Sequence, residues 1–531
     1  MSDQQPERDG DRNEGWDPRL SRGSLLKGSA AAALAALAVP DFSLGAQRAT
    51  PRRGGTLRAG FVGGGTAETI NPFLGVTPID EGRIQNLYDP LVITNGDLTR
   101  SPGLALEWNH NKDATVYEVK LRSGVTFHNG KAFGAEDVIW SIQQMAGKTS
   151  AALPFVSGIR LDEMKAVDKL TVRISLKAPD ADLAGNFTYY NTWIVPKGQT
   201  AKDYKKPVGS GPFMAKTFTP GRQSEFVKNP NYWVSGKPYV DSLKIVSIDD
   251  NTARLNALLS NQIDAMAQLP TQQAKAHSAS KDITVLAAPS PQAMMFYMDT
   301  TKAPFNDPRV TLAIKLIADR QALVDSAISG YGKVGNDIFG AGLPFYDAAL
   351  PQRVQDIDKA KSLLKAAGKS DLKLQLSTSP VFPGFIEAAT LLAQQAKAAG
   401  VTMTLKQVPP NSYYNPSLLY LKMPFAETQW PISSLKFFFL QALASDAPYN
   451  ETHWKNTAWN ALLVKAVGEP NKAKAQALWN QVQKIQYDKG GYLNWTNADW
   501  VDGLSKKVHG LKPSAAGVLG NYRFMDAWLS A

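Results

Sequence analysis

The sequence contains no cysteine among its 531 residues. That absence excludes disulfides, thiolate zinc sites, iron–sulfur clusters, a cysteine nucleophile and a cysteine-linked lipid anchor. Histidine is also scarce, with five copies, and no two of them have the i, i+4 spacing of a helical metal site. We therefore expect no metal ion, no cofactor and no lipoprotein anchor.

Long apolar runs and clustered charge are missing as well. After the amino-terminal segment, no apolar run reaches the roughly 20 residues that a membrane span requires. The net charge is +11, but no run of Lys and Arg is longer than two residues, so we expect no nucleic-acid partner. Hydrophobic residues make up 44% and charged residues 20%, which is the composition of a large globular protein.

Residues 1–46 have the features of an export signal. A polar start is followed by an alanine-rich apolar stretch from Gly28 to Val39, too short to span a bilayer, and the segment 43–46 offers a cleavage site. The segment resembles a twin-arginine signal, but Gly23 stands where the second arginine would be. We expect periplasmic export, with the general secretory and twin-arginine routes both open and an amphipathic helix as the alternative.

The remaining chain alternates strand and helix patterns. Strands are predicted at 54–61, 115–121, 171–176 and 243–248, and helices from Ala135 and over 251–259. In the second half, the strand pattern at 372–376, the helix at 385–399 and the strand at 401–408 form a βαβ unit. A helical stretch over 307–327 is predicted to break near Asp319, and another helix over 471–488. These patterns predict an α/β fold with a partly parallel sheet.

Catalytic motifs are largely missing. The sequence has no phosphate-binding loop, no GxGxxG and no GxSxG. The Ser-x-x-Lys spacing of acyl-serine enzymes occurs at Ser362–Lys365 and Ser433–Lys436, but without the other motifs of those enzymes. Carboxylate pairs such as Asp249-Asp250 stand at predicted helix starts, where capping explains them. We therefore predict no catalytic residue and no enzymatic activity.

Several strings, in order along the chain, are shared with one protein family. They are Asn71-Pro72-Phe73, Tyr88-Asp89-Pro90-Leu91, Pro102-Gly103-Leu104-Ala105, the run 121–130, Ala135-Glu136-Asp137-Val138, the run 208–213, Asn229-Pro230-Asn231-Tyr232-Trp233 and the run 304–310. With these strings the chain resembles the extracytoplasmic solute-binding proteins of the peptide/nickel/opine class, bacterial solute-binding protein family 5, which are partners of ABC importers. Read from the residues alone, His128 in the run 121–130 is a structural hydrogen-bond partner, and Tyr232-Trp233 is an aromatic anchor in a turn.

The resemblance implies a periplasmic-binding-protein type II fold of two hinge-linked α/β lobes plus an extra inserted lobe. Lobe I would comprise 47–88, 207–290 and 491–531, lobe II the insertion 89–206, and lobe III 291–490. Two strands would join lobes I and III, and a ligand would be enclosed between them by hinge closure.

The resemblance also implies candidate ligand-binding residues. Peptide binders of the family carry a Trp followed three residues later by an Asp that pairs with the ammonium group of the peptide. Here Trp430 matches, but the Asp position is Ser433, and a hydroxyl cannot supply that charge interaction. The departure disfavours ordinary free-amine peptides and leaves blocked peptides, opine-like conjugates or oligosaccharides. The predicted ligand-binding residues are Trp430, Ser433, Phe437, Asn494, Trp495, Thr77, Asp80, Tyr190 and Asn191, with a helix cap as the alternative role of Asp80.

The predicted function is that of a periplasmic substrate-binding protein. It would capture a peptide-like or conjugated solute (oligopeptide, opine-like or sugar-containing) and deliver it to the permease subunits of an ABC transporter. We expect a monomer. The alternatives are an exported hydrolase or transferase, and a chemoreceptor-type binding protein without a transport role. The identity of the ligand is left open by the sequence.

Overall fold

The computed structural model describes residues 50–63, 65–414 and 419–530, and the predicted export signal lies outside them. The strands are β1 (Thr56–Phe61), β2 (Val92–Thr94), β3 (Arg100–Pro102), β4 (Ala105–His110), β5 (Val116–Leu121), β6 (Lys165–Asp168), β7 (Thr171–Ser175), β8 (Phe213–Thr219), β9 (Gln223–Lys228), β10 (Ser242–Ser247), β11 (Ala265–Met266), β12 (Ile283–Met298), β13 (Gly332–Val334), β14 (Lys373–Thr378), β15 (Thr402–Gln407), β16 (Phe425–Trp430), β17 (Tyr492–Ser505), β18 (Val508–His509) and β19 (Trp528–Leu529). The helices are α1 (Pro78–Leu87), α2 (Ala135–Met145), α3 (Leu153–Val156), α4 (Leu183–Asn186), α5 (Asn251–Leu259), α6 (Thr271–Ala276), α7 (Pro308–Ile317), α8 (Arg320–Ala327), α9 (Ile357–Ala366), α10 (Phe385–Lys397), α11 (Pro410–Tyr413), α12 (Leu435–Phe438), α13 (Thr457–Gly468) and α14 (Lys472–Lys489).

A mixed sheet of 11 strands forms the centre of the fold, in the order β15-β14-β16-β12-β17-β11-β1-β10-β9-β8, with β13 paired to β17. The predicted βαβ unit is confirmed, because β14 and β15 pair in parallel and α10 connects them. The predicted helix break is confirmed as well. Asp319 caps α8 by accepting a hydrogen bond from the backbone N–H of Ala322 at 3.0 Å, which separates α8 from α7.

Two large hydrophobic clusters lie on this sheet. The first cluster draws its buried side chains from 57–286 and from 504–527, and the second cluster from 293–498. The antiparallel strands β12 and β17 belong to both, since Leu286 and Leu504 lie in the first cluster while Phe296 and Leu493 lie in the second. These two strands are therefore the continuous connection between the clusters.

The pairing of β12 with β17 is interrupted between Ala288 and Gln292. The interruption contains Pro289 and Pro291, which have no N–H to donate to a ladder. Between them, the Ser290 hydroxyl donates to the backbone carbonyl of Ala498 at 2.6 Å. The irregularity lies where the two strands leave one cluster for the other.

The segment predicted as an inserted lobe, 89–206, has a sheet of its own. This four-stranded antiparallel sheet has the order β4-β5-β7-β6, and the buried residues Val138 and Ile142 of α2 pack in the same hydrophobic cluster as Val172 and Ile174 of β7. The boundaries of the three predicted lobes stay a prediction.

Close to the carboxyl end, four consecutive residues adopt left-handed backbone conformations. The φ angles of Leu519, Gly520, Asn521 and Tyr522 are 48°, 71°, 59° and 56°. Side chains with a Cβ disfavour this region, so the surroundings must hold the turn in place. Asp502 does so by accepting from the N–H of Leu519 at 2.5 Å, and burial raises the pKa of that carboxyl to about 7.

No helix in the described part of the chain combines the length and the apolar character needed to cross a membrane.

Candidate functional site

A cavity of about 400 Å³ opens between the two clusters. Its wall comes from segments that are remote in sequence: the start of α1, the stretch 188–193, the turn 232–234, the end of β16 with residues 431–433, and the segment 515–525. The lining is rich in aromatic rings, which are Tyr189, Tyr190, Trp193, Tyr232, Trp233, Phe382, Trp500 and Tyr522. An apolar wall with few polar groups is typical of small-molecule sites.

One buried carboxylate, that of Asp89, organises one side of this wall. It accepts hydrogen bonds from the hydroxyls of Ser210 at 2.8 Å and Tyr232 at 3.0 Å, and from the indole N–H of Trp233 at 3.1 Å. Burial raises its pKa, and the three donors oppose that shift. The guanidinium of Arg122 lies 4.5 Å from the ring centroid of Trp233. Asp89 therefore fixes the position of two aromatic rings in the cavity wall.

A second carboxylate, that of Glu81, lies in the first turn of α1 and faces the same cavity. It accepts from the side-chain amide of Gln85 at 2.9 Å and from the hydroxyl of Tyr522. Burial raises the pKa of Glu81 to about 7. Tyr522 belongs to the left-handed turn, so that turn brings its hydroxyl to Glu81.

The guanidinium of Arg523 is the positively charged group among the described lining residues. It pairs with Asp526 at 2.9 Å, and Lys237 pairs with the same carboxylate at 2.6 Å. Two cations, those of Arg523 and Lys237, therefore share the carboxylate of Asp526.

Three of the predicted site residues line the cavity: Thr77, Tyr190 and Ser433. Thr77 is also the N-cap of α1, and its hydroxyl donates to Asp80 at 2.7 Å. Their ligand contacts stay a prediction.

Two others, Asp80 and Asn191, lie behind the wall rather than on it. Asp80 is buried and accepts from the N–H of Thr69 at 2.8 Å and from the hydroxyl of Thr77, which is the N-cap of α1. The side-chain amide of Asn191 donates to the carbonyls of Pro72 at 2.6 Å and Gly75 at 2.8 Å. Both side chains hold the loop that leads into α1. The ligand contacts predicted for Asp80 and Asn191 stay predictions.

Trp430 and Phe437 also lie outside the cavity lining. The ring of Trp430 packs 5.3 Å from Phe438, and its indole N–H donates to Glu451 at 3.3 Å. Phe437 stacks on Phe155 at 4.4 Å between ring centroids. The ligand contacts predicted for these two residues stay predictions, since the structure uses both rings in packing.

Asn494 and Trp495 are fully buried in β17. The side-chain amide of Asn494 donates to the carbonyl of Ile338 at 2.9 Å, and Trp495 belongs to the second cluster. This part of β17 runs through the interior of the second cluster, and neither residue is among the lining residues of the cavity. The ligand contacts predicted for both residues stay predictions.

The Ser433–Lys436 pair does not form a serine–base arrangement. The ammonium of Lys436 donates to both carboxylate oxygens of Asp180, at 3.0 and 2.9 Å, and to the carbonyl of Asp182 at 2.7 Å. An ammonium held by these acceptors is not available to take a proton from Ser433.

His128 has the structural role that the sequence predicted. Its Nδ1 accepts from the N–H of Gly209 at 3.2 Å, and its Nε2 donates to the carbonyl of Gly211 at 3.0 Å. Burial lowers the pKa of His128 to about 4, so the ring is neutral.

The sequence analysis missed Glu81, Asp89 and Tyr522, and it assigned Tyr232 and Trp233 to a turn anchor with no place in the ligand site. The structure places all five in the cavity wall. The signal for Asp89 was in the shared strings 88–91 and 229–233, which lie far apart in sequence and meet here through hydrogen bonds.

The chain is similar to a known protein family and to characterised members of it. The family model described as "Bacterial extracellular solute-binding proteins, family 5 Middle" matches residues 99–491. The glutathione-binding protein GsiB of Pectobacterium atrosepticum is 24% identical over 460 residues, which is 82% of this chain and 86% of that protein.

Two solved structures are similar throughout. The ABC transporter-associated periplasmic binding protein DppA from Helicobacter pylori, in complex with the peptide STSA, has a TM-score of 0.78 at 23% identity, covering 90% of this chain and 99% of that one. The periplasmic binding protein AgaA of A. tumefaciens R10, in complex with agropinic acid, has a TM-score of 0.77 at 21% identity, covering 90% of this chain and 99% of that one. The predicted type II periplasmic-binding-protein fold is confirmed.

Proposed function

The chain belongs to the bacterial extracellular solute-binding proteins of family 5, and from this premise we propose that its cavity captures a peptide-like or conjugated solute for delivery to an ABC permease. Members of the family bind small solutes outside the cytoplasm and work with ABC transporters. For this chain we propose a periplasmic location and a monomeric state.

The cavity is the observation that carries the proposal. Its volume of about 400 Å³ lies within the range of roughly 300–1,000 Å³ found for small-molecule sites. Its wall combines aromatic faces with a few fixed polar groups, which suits the amide planes of a peptide or the rings of a conjugate. The comparison proteins bind glutathione, the peptide STSA and agropinic acid, which are peptide-like or conjugated molecules.

The two long strands support a closing cleft. They connect the two clusters, and their pairing is interrupted at 289–291, at the level of the cavity-lining residues Pro291 and Gln292. We propose that lobe I (47–88, 207–290 and 491–531) and lobe III (291–490) rotate about this irregularity, and that the inserted lobe (89–206) moves with lobe I.

We also propose that the protein returns its solute unchanged. The sequence motif nearest to a catalytic pair, Ser433–Lys436, has its lysine bound to Asp180. A wall of aromatic and hydrogen-bonded groups binds a solute without supplying a nucleophile and its base.

Native mass spectrometry tests the proposal. Protein purified without denaturation is expected to retain a small molecule of peptide or conjugate mass, and unfolding should release that molecule with the same mass. Ser433→Trp would fill part of the cavity and should abolish retention, whereas Ser278→Trp, at an exposed position outside the lining, should retain it. Retention by both variants, or release of a cleaved product, would contradict the proposal.

A further inference from the structure

We propose that the solute carries a cationic nitrogen, an ammonium or a guanidinium, and that Glu81 pairs with it. This inference rests on the proposed function, because it requires that the cavity be the solute site. The charged groups of the cavity wall support this pairing independently of the predicted ammonium position at Ser433.

One carboxylate of the cavity wall, that of Glu81, has no ion pair with another described residue. The charged residues of the wall, within the described part of the chain, are Glu81, Asp89 and Arg523. Arg523 and Lys237 share the carboxylate of Asp526, and Arg122 interacts electrostatically with Asp89. Glu81 is thus the carboxylate, among these described lining residues, that no cation of the protein offsets. Among the ion pairs formed by the described residues, none includes Glu81.

The two carboxylates differ in what they can still bind. Asp89 already accepts from three side chains, those of Ser210, Tyr232 and Trp233, which fix it as a structural group. Glu81 accepts from two neutral donors, Gln85 and Tyr522, whereas a carboxylate can accept about four hydrogen bonds. Glu81 therefore keeps acceptor capacity directed to the cavity.

The helix start does not account for Glu81. The capping interaction at the beginning of α1 is made by Thr77 and Asp80. Arg83, the nearest guanidinium on α1, is fully buried and donates to Glu68, Asp80 and Ser224. Glu81 is thus an additional carboxylate in the same turn, with no cation assigned to it by the fold.

Aromatic rings line the same cavity as this carboxylate. Tyr189 and Tyr190 stack at 4.9 Å and line the cavity, and burial, with the nearby charge of Glu81, raises the pKa of both hydroxyls. The hydroxyl of Tyr522 donates to Glu81. Tyrosine faces attract cations, and an adjacent carboxylate adds a charge-assisted hydrogen bond. The combination suits a nitrogen cation better than a neutral sugar ring.

Glu81 can supply the carboxylate that is missing at position 433. Ser433 and Glu81 line the same cavity from different elements. A positive group that finds no carboxylate at Ser433 can therefore be bound by Glu81 of α1, a different element of the wall.

The test uses two defined pools: synthetic di- and tripeptides of Ala, Ser and Leu with free amino groups, and the same peptides acetylated at the amino terminus. Retention is measured by native mass spectrometry, and affinity for the best-retained free-amine peptide by calorimetry. The wild type should retain free-amine peptides, and Glu81→Gln should lose on the order of 100-fold in affinity for them. Glu107→Gln removes an exposed carboxylate on β4, outside the cavity lining, and serves as the charge-matched control with unchanged affinity.

Each outcome decides a different point. Equal retention of both pools by the wild type, or equal affinity of Glu81→Gln and wild type, overturns the role of Glu81 but leaves the proposed function standing. Retention of the acetylated pool alone also overturns it. If neither pool is retained, the proposed peptide-like solute class is overturned and the inference falls with it.

A pH series adds a readout that a purely structural role would not change. The groups facing Glu81 are Tyr189, Tyr190, Tyr522 and Gln85, together with Asp80 of the same turn, and burial raises the pKa of Glu81 to about 7. Binding of a cation requires the ionised form, so affinity of the wild type for the free-amine peptide should fall below pH 7, approaching about tenfold per pH unit. The affinity of Glu81→Gln should not show this fall, and a parallel fall in both proteins would overturn the assignment.

Discussion

Single side chains in this protein join segments that are far apart in the chain. His128 bonds to Gly209 and Gly211, 81 and 83 positions away, and so attaches the end of one segment to the glycine-rich turn at 207–212. Asp89 does the same for the turn at 232–233. Such contacts between remote segments hold the wall of the cavity in place.

The buried, neutral state of His128 predicts a pH-dependent stability. The pKa of His128 is about 4 in the folded protein, below the value of about 6.5 expected when it is unfolded. Its contribution is therefore complete above pH 6.5 and is lost as the pH falls through 4. Compared with His128→Gln, the stability advantage of the wild type should shrink by about 2–3 kcal/mol between pH 7 and pH 4. Urea denaturation of both proteins at each pH measures it, and parallel curves would contradict the neutral assignment.

Trp430→Ala separates packing from ligand contact. The ring of Trp430 packs on Phe438 and Tyr449, and its N–H donates to Glu451. We expect the ligand-free variant to lose about 2–3 kcal/mol of unfolding free energy, somewhat less than a fully buried Trp would cost. The dissociation constant of the retained solute should change by less than about threefold, which corresponds to about 0.7 kcal/mol of binding free energy.

The opposite pattern would support the sequence prediction for Trp430. An affinity loss of roughly 30-fold or more, with stability unchanged, would assign the ring to the ligand as a binding hot spot. Chemical denaturation and calorimetry on the same preparation distinguish the two patterns.

At the scale of elements, helix and strand positions were largely predictable. Local signals sufficed for α5, whose predicted range 251–259 is the observed one, and for the break between α7 and α8 at a capping Asp319. The cavity was less predictable, because its wall is formed by segments that are remote in sequence and come together only in the folded chain. Nothing local to Glu81 indicates that Tyr522, far along the chain, donates to it.

The short helix α12 offers a test of closure at the element scale. Its Lys436 binds Asp180 and the carbonyl of Asp182, which belong to the segment predicted as the inserted lobe. Lys436→Met keeps the apolar stem and removes the ion pair, so affinity for the retained solute should fall about tenfold, because a charged contact that favours the closed arrangement is lost. Lys484→Met, which breaks an exposed pair with Asp488 on α14, is the matched control. Equal affinities measured by calorimetry would show that this contact does not favour the bound state.

For the whole molecule, the connection through two strands predicts a change of shape. If lobes I and III rotate about the irregularity at 289–291, solute binding should reduce the radius of gyration measured by small-angle X-ray scattering. The scattering mass should correspond to one chain in both states. An unchanged radius, in a sample whose binding calorimetry confirms, would contradict closure.

The first cluster contains residues from both ends of the described chain, and this affects how the protein folds during synthesis. Its buried residues include Leu57 near one end of the chain and Val518, Leu519 and Phe524 near the other. The strand β1 pairs with β11, and β11 in turn pairs with β17. A ribosome must therefore release nearly the entire polypeptide before this core can close, and until then the newly made chain exposes apolar surface to chaperones and translocation machinery. Removing residues 504–531 should consequently leave a protease-sensitive chain even though most of both clusters is still encoded.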